Sequence, residues 1–471
     1  MCGVFGACLH PHGREISLRM ANALRHRGQS ATGVACFNTI DEDIDVAKGF
    51  GGVATALDRK KLDEMRGEFW IGHTRYPTQG TDTSRNQQPI WFGFGPGRVV
   101  VASNGDINMR QPADFLRERG LNLRTQNDAE VIAATIGYQL VYKQRSVVEA
   151  ILKMMKHVQG AYSTLVMYER DPHLYAFRDP HGIRPFIYSH LTDFQGEYHL
   201  FASETCSIFA AYSYLKNQPN SESLQMEELR EVEPGEIIAI NSQGEKESFF
   251  YEGERSRNLC LMELFYFSRP DSWFDLENRV SFYTLRNRLG KAAFEQFGIK
   301  PEIFGPVPRS GNPFSMGYAN AGAIRYEEFI IRNPELTRHV RNFIEPDRTA
   351  VAEKYRIIED LVKGRHVGAG DDSIIQGLTS QTLARALRKV GAREIELFSS
   401  APPCRFACHL GMHYKNARSL VAYGRDIDQI SQRLRCNVHY LDLDRTYSTD
   451  GFVQGNHCDG CFTGNYPVDP E

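Results

Sequence analysis

The sequence predicts an α/β multidomain protein, with a first half of short strands and few helices and a second half in which strands and helices alternate. Three observations carry that expectation. At about 150 residues per domain, 471 residues make two large domains or three smaller ones. Hydrophobic residues are 41% and charged residues 24%, close to the globular average, so sizeable cores can be buried. The apolar rhythm also changes part-way along the chain, and neither a repeat nor a low-complexity tract interrupts it.

In the first half two stretches read as helices, Ala129–Tyr142 and Val147–His157. In the second of these Val147, Ile151 and Met155 recur at helical spacing before Gly160. Tyr162–Tyr168, Tyr198–Ala202 and Glu236–Ile240 read as strands, the last entered through the turn-forming Glu233-Pro234-Gly235. Apolar patterning lapses over 241–258, the expected inter-domain region. Beyond it come a helix over Thr284–Phe297, a strand over Glu302–Val307 running into Pro308-Arg309-Ser310-Gly311, and a short strand before Asp371-Asp372. A helix over Thr379–Val390, with Leu383, Leu387 and Val390 on one side, and a strand over Glu394–Phe398 follow. Strands alternating with helices imply a parallel sheet whose ligands bind at the carboxyl ends of its strands, where these two loops fall. The expected domains are residues 2–245 and 260–450, with a tail over 451–471.

Composition excludes several classes. Lys+Arg 55 against Asp+Glu 58 gives a net charge of -3, so nothing drives non-specific binding to nucleic acid or an anionic membrane. No apolar run reaches the ~18 residues of a membrane span, and the N-terminus lacks the plan of a secretory signal. Ten cysteines are far fewer than a disulfide scaffold needs. A cytoplasmic protein with reduced thiols, some catalytic or metal-bound, is expected.

The chain opens Met1-Cys2-Gly3. Loss of the initiator Met would leave Cys2 with a free α-amine, which at a pKa near ~7.7–8.0 can act as base for its own thiol. Cys2 is followed in order by Arg25-His26-Arg27-Gly28-Gln29, Gly72-His73-Thr74-Arg75-Tyr76, Ser103-Asn104-Gly105-Asp106, Asn127-Asp128-Ala129-Glu130, Gly160-Ala161-Tyr162-Ser163 and Asp179-Pro180-His181-Gly182-Ile183-Arg184-Pro185. In this order the motifs resemble the class II glutamine amidotransferases, whose N-terminal-nucleophile (Ntn) hydrolase domain is a four-layer αββα fold that releases ammonia from glutamine. The resemblance implies that Cys2 is the nucleophile, that Arg27 orients it, and that Asn104 and Gly105 form the oxyanion hole. It also implies that Arg75 and Asp128 hold the carboxylate and ammonium of glutamine. Arg25 reads as a solvated charge, His26 and His73 as structural histidines, Asp179–Pro185 as scaffold, and Cys8, Cys36 and Cys206 as buried apolar-like residues.

Asp371-Asp372-Ser373-Ile374-Ile375-Gln376-Gly377-Leu378-Thr379-Ser380 stands before a helix. Its small and hydroxylic residues can present N–H groups to a phosphate, and its carboxylates can meet sugar hydroxyls or Mg²⁺. The segment resembles the phosphoribosyl pyrophosphate (PRPP) loop of type I phosphoribosyltransferases. With Leu264–Ser272 and Val307–Tyr318 it extends the resemblance, now to the amidophosphoribosyltransferases, over nearly the whole chain. Asp371, Asp372, Ser373, Gly377, Thr379 and Ser310 are the implied phosphoribosyl and Mg²⁺ residues. The chain departs from the pattern with Gln376 for Arg, Leu378 for Thr, Arg309 for Asp, and a longer segment over Arg325–Phe343 in which Arg341 alone matches a family Arg. Val367-Gly368-Ala369-Gly370 is poor material for the buried strand expected there. These departures leave open an alternative: an intact glutaminase serving another activated sugar or nucleotide, or a phosphoribosyltransferase half that only regulates.

Cys458-Asp459-Gly460-Cys461 is a Cys-x-x-Cys compatible with zinc or redox chemistry. In the iron–sulfur branch of the same family the matching ligands would be Cys260, Cys408, Cys458 and Cys461, holding a structural [4Fe–4S] cluster, with zinc as the alternative. Cys404 is the rival ligand and Cys436 a core residue. Expected partners are glutamine, PRPP or a similar sugar phosphate, nucleotide feedback ligands and further copies of the chain.

Overall fold

A computed structural model describes residues 2–76, 84–219, 221–333, 355–412, 414 and 416–468. The chain divides into two units: Met1–Leu259 with His409–Met412 and Pro467–Glu471, and Cys260–Cys408 with His413–Tyr466.

The first unit is built on two antiparallel sheets. One has the strand order Gln225–Glu231, Ile187–Asp193, Gly196–Ala202, Gly3–Cys8, Phe69–Arg75, Ala31–Asn38, Asp43–Phe50. The other runs Lys246–Phe250, Glu236–Asn241, Asp171–Arg178, Gly160–Tyr168, Gly97–Ile107, Ile90–Phe94. Period-two alternation sorts the side chains. Val100 and Ala102, Leu165 and Met167, and Ile238 and Ile240 join Val4, Phe37, Phe69 and Ile71 in a core between the sheets. Their neighbours Val99, Val101, Val166, Ile237 and Ala239 face a second core with Val131, Ile132, Ile151 and Met155 of the helices Asp128–Lys143 and Val147–His157. On the other sheet, Gly13–Ala23 and Thr205–Lys216 pack on each other, and between them they contact strands Gly3–Cys8, Phe69–Arg75 and Gly196–Ala202. The layers are therefore α, β, β, α, as expected. Within 241–258 the expectation needs correction: Lys246–Phe250 is an edge strand paired with Glu236–Asn241. Among the described residues its outer edge is unpaired, and it is largely exposed, which is why it reads as polar.

The second unit centres on a parallel sheet ordered Ile303–Pro306, His366–Asp371, Glu394–Ser399, Asn437–Tyr440. Val367 and Ala369 face a core with Leu383, Leu387, Ile395, Ile430 and Leu434. On the opposite face the helices Phe282–Phe297 and Asn312–Gly322 pack together. There Phe304 stacks on Tyr318 at 4.4 Å, and Phe398 meets both rings. This explains the glycines that make His366–Asp371 look unlike a strand. A Cβ on Gly368 would lie 2.6 Å from both Phe304 and Pro301, and one on Gly370 would lie 2.4 Å from Ser315 Oγ. Aromatic rings supplied by the neighbours occupy the room that Val or Ile would take.

Among the described residues no helix is long and apolar enough to cross a membrane. The glycine argument predicts that Gly368→Val destabilises the protein by about 1–3 kcal/mol through overpacking, read as a lower midpoint of urea unfolding. An unchanged midpoint would mean that the ring cluster has room to spare.

Candidate active site

The residues singled out in the first half converge at the ends of neighbouring strands. Cys2 immediately precedes Gly3–Cys8, which pairs with Phe69–Arg75, the strand that Arg75 ends. Asn104 and Gly105 lie near the end of Gly97–Ile107 in the facing sheet. Asp128 opens its helix, capped by the Asn127 side chain, which accepts from the Ala129 N–H. Cys2, Arg75, Gly105 and Asp128 line one cavity together with His73, Tyr76, Gln88, Ser103 and Asn127.

Cys2 is buried, and its Sγ lies 3.4 Å from the Tyr76 N–H. Arg27, fully buried, donates from Nε to the Cys2 carbonyl at 2.8 Å and from Nη1 to Glu204 Oε1 at 2.5 Å. His26 Nε2 meets the same Glu204 oxygen at 2.8 Å. A Cβ on Gly28 would lie 2.4 Å from the Thr74 carbonyl, so glycine lets the Arg27 segment lie against the central strand. Glu204 is the member of this buried cluster that sequence reasoning misses, because a lone Glu beside a helix start carries no signal. Gln88 is missed as well: its Oε1 accepts from the Ser103 N–H at 2.7 Å, and its Nε2 donates to Asn127 Oδ1 at 3.2 Å. It ties the strand of Asn104 to the helix of Asp128.

Asn104 is buried, and its Nδ2 has no hydrogen-bond partner among the described residues. A buried orphan donor costs ~1–3 kcal/mol, and such a donor is what a developing oxyanion requires. A Cβ on Gly105 would lie 2.8 Å from the Ala161 carbonyl and 3.2 Å from Asp128 Oδ2. Burial, reinforced by Asp106 and Cys2, pushes the Asp128 carboxyl up to about 8; a cation placed against it would reverse that shift. Asp179 accepts from the backbone N–H groups of Tyr162, His181 and Ile183 and is scaffold, as expected.

In the second unit two loops leave the carboxyl ends of adjacent parallel strands and touch. The Val307 N–H donates to the Gly370 carbonyl at 2.8 Å. A Cβ on Gly311 would lie 2.3 Å from that oxygen and 3.2 Å from Asp371 Cα. Ser310 is thereby brought to the start of the Asp371–Gly377 loop. Asp372 is buried, its carboxylate accepting from Ser373 Oγ at 2.7 Å and its carbonyl from Ser400 Oγ at 2.9 Å. Gly377, at φ +77°, turns the chain into helix Leu378–Lys389, with Thr379 in its first turn. Two carboxylates thus lie at the start of a loop that leads into a helix N-terminus, a combination suited to a metal-bound phosphate ester. Arg341 lies outside the described residues.

Cys260, Cys404, Cys408, Cys458 and Cys461 are all buried in this unit. Burial raises the Cys458 thiol well above its usual range, and Cys260, Cys408 and Cys461 add to the effect. Cys461 is raised by burial and by Cys404. The four expected ligands and their rival therefore share one neighbourhood whose thiolates suit a soft metal, although among the described residues they form no group of three or more whose ligand atoms all lie within 4.8 Å of one another. Elsewhere His26–Glu204–Cys206, His190–Glu197–His199 and His366–Glu394–Glu396 are groups whose spacing could hold an ion.

A family model described as a glutamine amidotransferase domain matches residues 73–210. The amidophosphoribosyltransferase of Methanothermobacter thermautotrophicus is 32% identical over 95% of this chain and 89% of its own length. That of Bacillus subtilis is 31% identical over 99% and 94%. Among solved structures, the glutamine PRPP amidotransferase from B. subtilis complexed with ADP and GMP superposes with a TM-score of 0.85 at 28% identity, covering 100% of this chain and 98% of that one. A structure described as the allosteric regulatory enzyme of purine biosynthesis gives 0.86 at 29%, covering 100% and 97%.

Glu204→Gln would leave the Arg27 guanidinium buried beside a neutral amide. A loss of about 3 kcal/mol of unfolding free energy is expected, with slower alkylation of Cys2 by iodoacetamide. Unchanged stability and alkylation together would show that the pair does not hold Cys2.

Proposed function

The chain belongs to the amidophosphoribosyltransferase family, and we propose that it catalyses that family's reaction through the residues assembled above. Glutamine is hydrolysed at the first unit. Its ammonia displaces pyrophosphate from C1 of PRPP at the second, giving 5-phosphoribosylamine, pyrophosphate and glutamate. The observation that carries the reading is the single cavity uniting Cys2, Arg75, Gly105 and Asp128. The name shared by full-length relatives supports PRPP over another activated acceptor.

With Met1 removed, the Cys2 α-amine takes the thiol proton and the sulfur attacks the amide carbon. The charge that forms on the amide oxygen meets Asn104 Nδ2 and the Gly105 N–H, a type of contact worth ~10²–10³ in rate per donor. As the C–N bond breaks, the ammonium proton passes to the leaving nitrogen, and water then hydrolyses the thioester to glutamate. Arg27 fixes the Cys2 carbonyl throughout. Arg75, with its planar fork, takes the substrate carboxylate, and Asp128 takes the ammonium. At the second unit Asp371 and Asp372 would meet the ribose hydroxyls or hold Mg²⁺. Ser310, Ser373, Gly377 and Thr379 would offer donors to the phosphate and pyrophosphate. Bound Mg²⁺ would neutralise charge on the pyrophosphate leaving group.

Cys260, Cys408, Cys458 and Cys461 would hold a [4Fe–4S] cluster, zinc being the alternative, that cross-links distant parts of the sequence without entering either reaction. The domain assignment that accompanies this reading is glutaminase over 2–245, phosphoribosyltransferase over 260–450 and a ligand-bearing tail over 451–471. Purine nucleotides as regulators, a homo-oligomer and a cytoplasmic site complete it. The ADP and GMP bound by the B. subtilis structure support the first of these.

Cys2→Ala should abolish glutamine-dependent pyrophosphate release and spare the reaction supported by ammonium salts; loss of both would contradict two separable sites. Asp128 gives a second prediction. Its carboxyl, raised to about 8 without substrate, must ionise to hold an ammonium. The KM for glutamine should therefore rise as pH falls below 8, by up to about tenfold per unit. Asp128→Asn should raise KM and flatten that profile, and a KM that does not vary with pH in the parent enzyme would refute the assignment.

A further inference from the structure

His73, expected to be structural, is buried to 1% exposure and lines the cavity with Cys2, Arg75 and Asp128. It belongs to strand Phe69–Arg75, on the side that carries Phe69 and Ile71 into the core between the sheets. Neither ring nitrogen makes a hydrogen bond of good geometry among the described residues, although the Ser103 carbonyl draws on one of them as an acceptor. The other nitrogen is left unmet, and leaving a buried polar atom unsatisfied is costly. That nitrogen is available to a group that enters the cavity His73 lines.

The substrate supplies one. In the reading proposed above, on which this inference rests, the carboxylate of glutamine goes to Arg75, its ammonium to Asp128 and its amide oxygen to Asn104 and Gly105. The amide –NH₂ alone, with two N–H donors, is unassigned. We infer that His73 is the acceptor for that –NH₂, and so the residue that recognises the amide as an amide. The ring can play that part because it stays neutral: burial, with Arg75 adding, lowers its pKa to about 3. The Ser103 carbonyl flanks the ring, and a proton held toward it leaves the other nitrogen as an acceptor. An imidazole of this kind neither donates nor removes a proton at neutral pH, so His73 is a recognition residue and not a general base. It would favour glutamine over a side chain that has no N–H to offer, as a site built around a substrate donor does.

The test compares glutamine with its γ-methyl ester, which keeps the carbonyl but has no N–H. His73→Phe should lower kcat/KM for glutamine by about 5- to 30-fold, the cost of one unmet hydrogen bond, and leave the ester within about twofold. Equal losses on both substrates, or none on either, would overturn the inference. Ammonia-dependent turnover reports folding independently of this site. Should His73→Phe fail that check, the measurement moves to Cys2→Ala protein carrying ¹⁵N-histidine. Glutamine, but not the ester, should then shift one imidazole nitrogen of His73, and identical spectra would overturn the inference. Parent enzyme that hydrolyses no glutamine would instead refute the proposed function, which keeps the two failures distinguishable.

Discussion

The first unit depends on holding the main chain of Cys2 from behind while its thiol faces a cavity. Arg27 does this through its 2.8 Å bond to the Cys2 carbonyl. A buried guanidinium is costly unless a charge and further acceptors surround it, and Glu204 supplies the charge at 2.5 Å. The three residues come from widely separated segments: the chain start, the turn after helix Gly13–Ala23, and the start of helix Thr205–Lys216. The α-β-β-α layering matters to the chemistry because it brings those segments to the end of one strand. The facing sheet contributes Ser103 and Gly105 from near its own strand end, so each sheet provides part of the cavity.

In the second unit the constraint is steric. The central strand runs through glycines because Phe304, Phe314 and Ser315 already occupy the space beside it. The same strand delivers Asp371 and Asp372 to its carboxyl end, next to the turn at Ser310-Gly311. Backbone contacts at the Gly370 carbonyl fix the two loops against each other, so the carboxylates and the hydroxyls of this site are positioned by main chain.

Much of this was legible in the sequence, and the exceptions have physical causes. Val147–His157 was read with both ends right because its apolar period is regular and Ser146 and Glu149 form a capping box. Lys246–Phe250 is not legible as a strand because an edge strand with an exposed face carries no core pattern. Asn312–Gly322 went unassigned: it is buried on several sides, so its small and apolar residues show no single stripe. At the sites, residues in contiguous motifs were found and those defined by distant contacts were not. Glu204 meets Arg27, 177 positions away in sequence, and Gln88 bridges Ser103 and Asn127. A histidine inside a motif, such as His73, does not reveal in sequence whether its nitrogens are satisfied.

The central claim is that Cys2, freed at its amine and held by Arg27, is the nucleophile. Peptide mapping by mass spectrometry of active protein, after inactivation with a glutamine-mimicking diazoketone, tests it most directly. The account predicts one adduct, on the sulfur of an N-terminal Cys2 that no longer carries Met1. An adduct on any other residue, or full activity in protein that retains Met1, would contradict it.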